Sequence, residues 1–128
     1  MTLTTSPAAV HLVDDEAPVR AAMEFLLRSH GLAVFSYDSG PAFLERLGQP
    51  VPVRGCIVLD VRMEPMSGLQ VHDELVARGV AVPVIFLTGH GDIRMAVDAL
   101  KKGAFDFVEK PFGDGVLVER IHDAMAAD

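Results

Sequence analysis

Four short strand-like runs in this chain each end in a reactive or charged group, and helical segments separate them. Val10-His11-Leu12-Val13 runs into Asp14 and Asp15, and Cys56-Ile57-Val58-Leu59 runs into Asp60. Val84-Ile85-Phe86-Leu87 ends in Thr88-Gly89, and Phe105-Asp106-Phe107-Val108 ends in Glu109-Lys110-Pro111. Alternating strands and helices imply a parallel sheet with helices on both faces. In such a sheet the carboxyl ends of the strands lie side by side, and ligands bind in the crevice outside them.

The intervening segments carry helical spacing. Val19, Ala22, Met23, Leu26 and Leu27 fall on one helical face, which Gly31 closes. Residues 33 to 37 read as a strand. Pro41 to Leu47 read as a short helix, with Ser39 or Gly40 as cap and proline in the first turn. Leu69 to Arg78 form a third helix before Gly79. Ile93, Ala96, Val97 and Leu100 mark a fourth, capped by Asp92 and stopped by Gly103. Leu117, Ile121, Ala124 and Met125 mark a fifth.

Strand composition sets the expected order. The runs near residues 10, 56 and 84 are apolar enough for burial on both faces. Those near 34 and 106 carry Ser36 and Asp106, as edges tolerate. Edge strands second and fifth in sequence give a single doubly wound (βα)5 domain of order 2-1-3-4-5, the flavodoxin-like order. Its ligand crevice lies between strands one and three, and those are the strands ending in Asp14-Asp15 and Asp60.

A chain of 128 residues makes one domain, and half of its residues are hydrophobic, which opposes disorder. The net charge of −7 disfavours direct DNA binding, which needs clustered Lys and Arg. Cys56 has no disulfide partner, as in a reducing cytoplasm, and reads as a small buried hydrophobe. Met1 to Ala9 lack the basic and apolar regions of a leader, and no run approaches the ~18 apolar residues of a membrane span.

Singly, the motif residues have ordinary readings. Asp14 or Asp15 would cap a helix, Asp60 and Thr88-Gly89 would form turns, and Lys110 would sit in a solvated loop. His11 reads as a satisfied core histidine, and His90 as facing either the site or solvent. Together they converge on one sheet edge, where two carboxylates ~4 Å apart cost on the order of 4 kcal/mol. A proton or a cation must relieve that repulsion. Oxygen ligands with room for water suit Mg²⁺. A lysine, a threonine hydroxyl and a free glycine N–H at Gly89 complete a cradle for a phosphoryl group on a carboxylate nucleophile.

With these stretches on view, the chain resembles the receiver domain of two-component response regulators over about Val10 to Met125. The matching segments are Val13-Asp14-Asp15-Glu16, Asp60-Val61-Arg62-Met63, Met66-Ser67-Gly68, Thr88-Gly89-His90-Gly91-Asp92 and Phe107-Val108-Glu109-Lys110-Pro111-Phe112. The wording around Thr88 and Lys110 looks most like the FixJ-type subgroup. The resemblance implies that Asp60 accepts the phosphoryl group. It implies Mg²⁺, with Mn²⁺ as a substitute, held by Asp15 directly, Asp14 through water, Asp60 itself and the backbone carbonyl of Arg62. Lys110 would pair with the phosphoryl group, with a cis bond to Pro111. Thr88 would swing toward the phosphoryl oxygens and Phe107 would turn inward behind it. Arg62 and His90 occupy positions that tune phosphoryl loss. One departure is Glu64, which stands where the family usually has proline; it faces either the metal or solvent.

The function so implied is a phosphorylation-activated signalling switch rather than an enzyme in the usual sense. Its phosphodonor partner would be a sensor histidine kinase. Phosphorylation would move the face of the fourth helix, fifth strand and fifth helix, promoting a homodimer through the fourth helix and fifth strand. Residues 1–128 would form the receiver alone, without the DNA-binding output domain usual in FixJ-type regulators; the setting would be cytoplasmic. Two rivals remain: a haloacid-dehalogenase-like Mg²⁺-dependent phosphatase, and a stand-alone or degenerate receiver or other flavodoxin-like binding module. The first would need an acid two residues after the nucleophile, where this chain has Arg62.

Overall fold

The computed structural model describes residues 7–128; part of the Met1–Ala9 segment read for a leader lies outside them. Five strands alternate with five helices: β1 (Ala9–Val13), α1 (Ala17–Ser29), β2 (Val34–Tyr37), α2 (Gly40–Leu47), β3 (Gly55–Asp60), α3 (Gly68–Ala77), β4 (Val84–Thr88), α4 (Ile93–Lys101), β5 (Asp106–Glu109) and α5 (Asp114–Ala127). A single 3-10 turn, His90–Asp92, precedes α4.

All neighbouring strands are parallel, in the order β2-β1-β3-β4-β5. This is the order expected from strand composition. Every residue of β1, β3 and β4 is buried, whereas β2 and β5 are only partly so. Because side chains alternate across a strand, the sheet sorts them into two cores. Val10, Leu12, Val58, Ile85 and Leu87 pack with α1 and α5 through Leu27, Leu117 and Ile121. Ile57, Leu59 and Phe86 pack on the other face with Phe43, Val71 and Leu75 from α2 and α3. Each fully buried Leu or Phe contributes roughly 1.5–3 kcal/mol.

Local chemistry sets the helix ends. Ser39 accepts a bond from the Ala42 N–H at 3.2 Å, which settles the α2 cap on Ser39. Ser67 and Gln70 form a reciprocal capping box at α3. Gly31 and Gly79 follow α1 and α3 at φ +78° and +70°, a region that side chains disfavour. Two expectations change. Asp92 stands at the start of α4 but its side chain caps nothing. His11 is buried as expected but only half satisfied: Nδ1 meets the Tyr37 hydroxyl at 3.0 Å, while Nε2 has no hydrogen-bond partner. Among the described residues no helix is long and apolar enough to cross a membrane.

Candidate functional site

Strand register brings the predicted residues together. β1 lies beside β3, with Val13 opposite Leu59, so Asp14 and Asp60 each emerge at the same edge. β3 lies beside β4, with Asp60 opposite Leu87. Thr88 pairs with Glu109, and the Lys110 N–H donates to the Thr88 carbonyl at 2.8 Å. Asp14, Asp60, Thr88 and Lys110 therefore stand at the carboxyl ends of four adjacent strands.

Asp60 is 7% exposed and both its oxygens are engaged. Oδ1 accepts the Arg62 N–H at 3.1 Å, and Oδ2 accepts Lys110 Nζ at 2.5 Å. The loop beyond is held by Gly68, whose N–H donates to the Val61 carbonyl at 2.9 Å. A methyl group on Gly68 would lie 2.1 Å from the Asp60 carbonyl oxygen, so only glycine lets α3 approach the end of β3 this closely.

Asp14 is 1% exposed. Its Oδ1 accepts the Glu16 N–H at 2.9 Å, and its Oδ2 has no partner. Burial is the main reason its pKa rises from 3.8 to about 6; the Glu16 N–H opposes that, the Asp60 carboxylate adds to it, and Lys110 opposes it. Asp15, by contrast, is exposed, and its Oδ2 accepts the Glu64 N–H at 3.0 Å. Glu64 thus meets Asp15 through its backbone while its residue is exposed. The bonds from Glu64 to Pro65 and from Lys110 to Pro111 are cis, the second as the resemblance implied.

Thr88 is fully buried, and its hydroxyl donates to the Gly89 carbonyl at 3.1 Å rather than toward Asp60. Phe107 is partly buried against the α2–α3 side of the core. His90 has a 92% exposed side chain, with Nδ1 3.4 Å from Glu109 Oε1, so it lies in solvent. Sequence reasoning gave Asp92 only a capping role and missed its pairing with Arg62. Its buried carboxylate takes a two-pronged ion pair from Arg62, at 2.8 and 2.9 Å. The two stand thirty positions apart in sequence, with no periodicity linking them.

An orphan carboxylate oxygen on a buried acid, beside a second carboxylate, suits a hard oxygen-seeking divalent cation. As placed, no three acidic, histidine or cysteine side chains among the described residues already ring one position. Asp15 spends only Oδ2 on the Glu64 N–H.

Residues 10–122 match the response regulator receiver domain family. The chain belongs to that family. The receiver is 49% identical over 116 residues to the transcriptional regulatory protein FixJ of Azorhizobium caulinodans, covering 91% of this chain and 54% of that protein. It is 50% identical over 120 residues to the C4-dicarboxylate transport transcriptional regulatory protein DctR of Rhodobacter capsulatus, covering 92% and 60%. The crystal structure of FixJ-N superposes with a TM-score of 0.85 at 43% identity, covering 95% of this chain and 96% of that one. Full-length FixJ from B. japonicum gives 0.86 at 40% identity, covering 96% of this chain and 59% of that one. The receiver is thus of the FixJ type, and it spans little more than half the length of these curated relatives. Receiver domains generally bind Mg²⁺ for phosphorylation, and they are signalling modules rather than conventional enzymes.

Proposed function

We propose that Asp60 is the phosphoacceptor of this receiver and that a sensor histidine kinase is its donor. One Asp60 carboxylate oxygen forms the new bond to phosphorus while the phosphorus–nitrogen bond of phosphohistidine breaks, its electron pair returning to the imidazole. The observation that carries this reading is the placement of Asp60 between Lys110 Nζ and the Arg62 N–H, next to the orphan oxygen of Asp14. Two of these donors would neutralise charge on the transferring oxygens. Asp14, Asp15, Asp60 and the Arg62 carbonyl are the groups that would hold Mg²⁺, or Mn²⁺ in its place. The cation supplies charge neutralisation at the phosphoryl oxygens when bound.

Phosphorylation adds a charge of roughly −1.5 to −2 and new acceptor oxygens. Lys110 would keep its place against them. Thr88 would leave the Gly89 carbonyl to bond a phosphoryl oxygen, with the Gly89 N–H nearby, and Phe107 would move into the space Thr88 vacates. Turning a 1:99 equilibrium into 99:1 takes about 5.5 kcal/mol. Two or three hydrogen bonds to charged groups, at about 1.5–3 kcal/mol each, supply that. The responding face is α4, β5 and α5. Met95 and Val97 on α4 and Phe105 before β5 are exposed apolar groups that would be buried in a phosphorylation-promoted homodimer. The output would be transcriptional, through a DNA-binding domain in the longer regulator.

The phosphatase reading needs an acid at position 62; there the chain has Arg62, whose guanidinium is committed to Asp92. The test of the proposal is transfer of radiolabelled phosphate from a phosphorylated histidine kinase. Label that hydroxylamine removes, as it does from an acyl phosphate, supports an aspartyl phosphate; no transfer to wild type, or equal transfer to Asp60→Asn, opposes it. Sedimentation showing a monomer in both states would remove the dimer.

A further inference from the structure

Arg62 touches the acceptor with its backbone and turns its side chain to another loop. Its N–H donates to Asp60 Oδ1 at 3.1 Å. Its Nε and Nη2 donate to Asp92 Oδ2 and Oδ1 at 2.8 and 2.9 Å. The Arg62 side chain is 79% exposed, but that of Asp92 is only 4% exposed. A planar fork on both oxygens of one carboxylate is the geometry in which an arginine pair is most directional.

Asp92 is tied in turn to the threonine. Its N–H donates to the Gly89 carbonyl at 3.0 Å. The same carbonyl accepts the Thr88 hydroxyl at 3.1 Å. A continuous path of bonds therefore runs from Asp60 through Arg62, Asp92 and Gly89 to Thr88. Thr88 cannot offer its hydroxyl to a group on Asp60 while that hydroxyl stays on Gly89, and the clamp on Asp92 helps hold Gly89 where it is.

We infer that Asp92 is a positioning residue: through Arg62 it pins the turn after Thr88 to the acceptor loop and keeps the threonine in its resting place. The inference rests on Asp60 being the phosphoacceptor. It assigns a role to a carboxylate that neither caps its helix nor touches the acceptor. Opening the clamp leaves every proposed phosphoryl contact intact and removes one restraint on the switched arrangement.

The test measures adduct growth by intact mass with a small acyl phosphate and Mg²⁺, for wild type, Asp92→Ala, Arg62→Ala and the double variant. A clamp of this kind is worth about fivefold in the resting-to-switched ratio. Each single variant should gain the adduct about fivefold faster, and the double no faster than either. Without phosphate, amide NMR shifts of residues 88 to 92 in the variants should move toward those of phosphorylated wild type. A loss of packing alone would not follow that line. Unchanged or slower adduct growth, or single effects that multiply in the double variant, overturns the inference. Should Asp92→Ala fail to fold, Arg62→Ala, at an exposed side chain, decides alone. A wild-type protein that gains no adduct overturns the reading of Asp60 itself, and is told apart from a wild type that reacts at the same rate as its variants.

Discussion

Lys110 Nζ meets Asp60 Oδ2 at 2.5 Å, joining the end of β5 to the end of β3 across fifty residues of sequence. The ammonium is the cation that faces the buried acids, and it holds the Asp14 pKa below where burial and Asp60 would otherwise put it. Lys110→Ala should let Asp14 titrate above its present value of about 6 in metal-free protein. Carboxyl ¹³C NMR checks this, and an unaltered titration would show that the lysine contributes no field there.

Asp14 carries a second consequence. Its raised pKa means that the folded state disfavours its ionised form. That penalty is absent below the ordinary value of 3.8 and fully present above about 6. Metal-free Asp14→Asn should therefore unfold at higher denaturant near pH 7, by on the order of 2 kcal/mol, with the gain vanishing toward pH 4. The same variant should bind Mg²⁺ at least about tenfold more weakly by calorimetry. A variant less stable at neutral pH would contradict the first half, and one with wild-type Mg²⁺ affinity the second.

Gly68 sits where a methyl group would strike the Asp60 carbonyl. Gly68→Ala should cost about 1–3 kcal/mol by overpacking, despite alanine's better helix propensity. Denaturation midpoints measure the loss, and a neutral or stabilising result would mean that the strand end yields freely.

His11 lies far from this chemistry but sets an acid limit. Burial, with the Arg46 charge adding to it, lowers its pKa from 6.5 to about 4. The unfolded chain then binds a proton that the folded chain refuses between those values, so stability falls as pH drops from 6.5 toward 4. Between pH 7 and pH 5 wild type should lose about 2 kcal/mol relative to His11→Leu. Urea melts of the two proteins at both pH values give the difference; parallel behaviour would show that His11 does not titrate on unfolding.

The sheet order was legible because burial writes itself into composition. β1, β3 and β4 had to be apolar on both faces, and Ser36 and Asp106 marked the edges. The acids, the threonine and the lysine were legible because a parallel sheet collects its strand ends. Asp92 was not, since an aspartate before a helix looks like a cap and nothing in the spacing points it at Arg62. The unpaired Nε2 of His11 was equally hidden, because a hydrogen bond depends on side-chain placement that periodicity does not encode. His90 follows the threonine turn in sequence yet points to solvent, for the same reason.

The central claim is that the carboxylate of Asp60 forms an acyl phosphate. Intact-mass spectrometry after incubation with a small acyl phosphate and Mg²⁺ tests it most directly. The account predicts one adduct of about 80 Da, the mass of a phosphoryl group, that chelation of the metal prevents and Asp60→Asn abolishes. An unmodified wild-type mass, or an adduct that persists in Asp60→Asn, would contradict it.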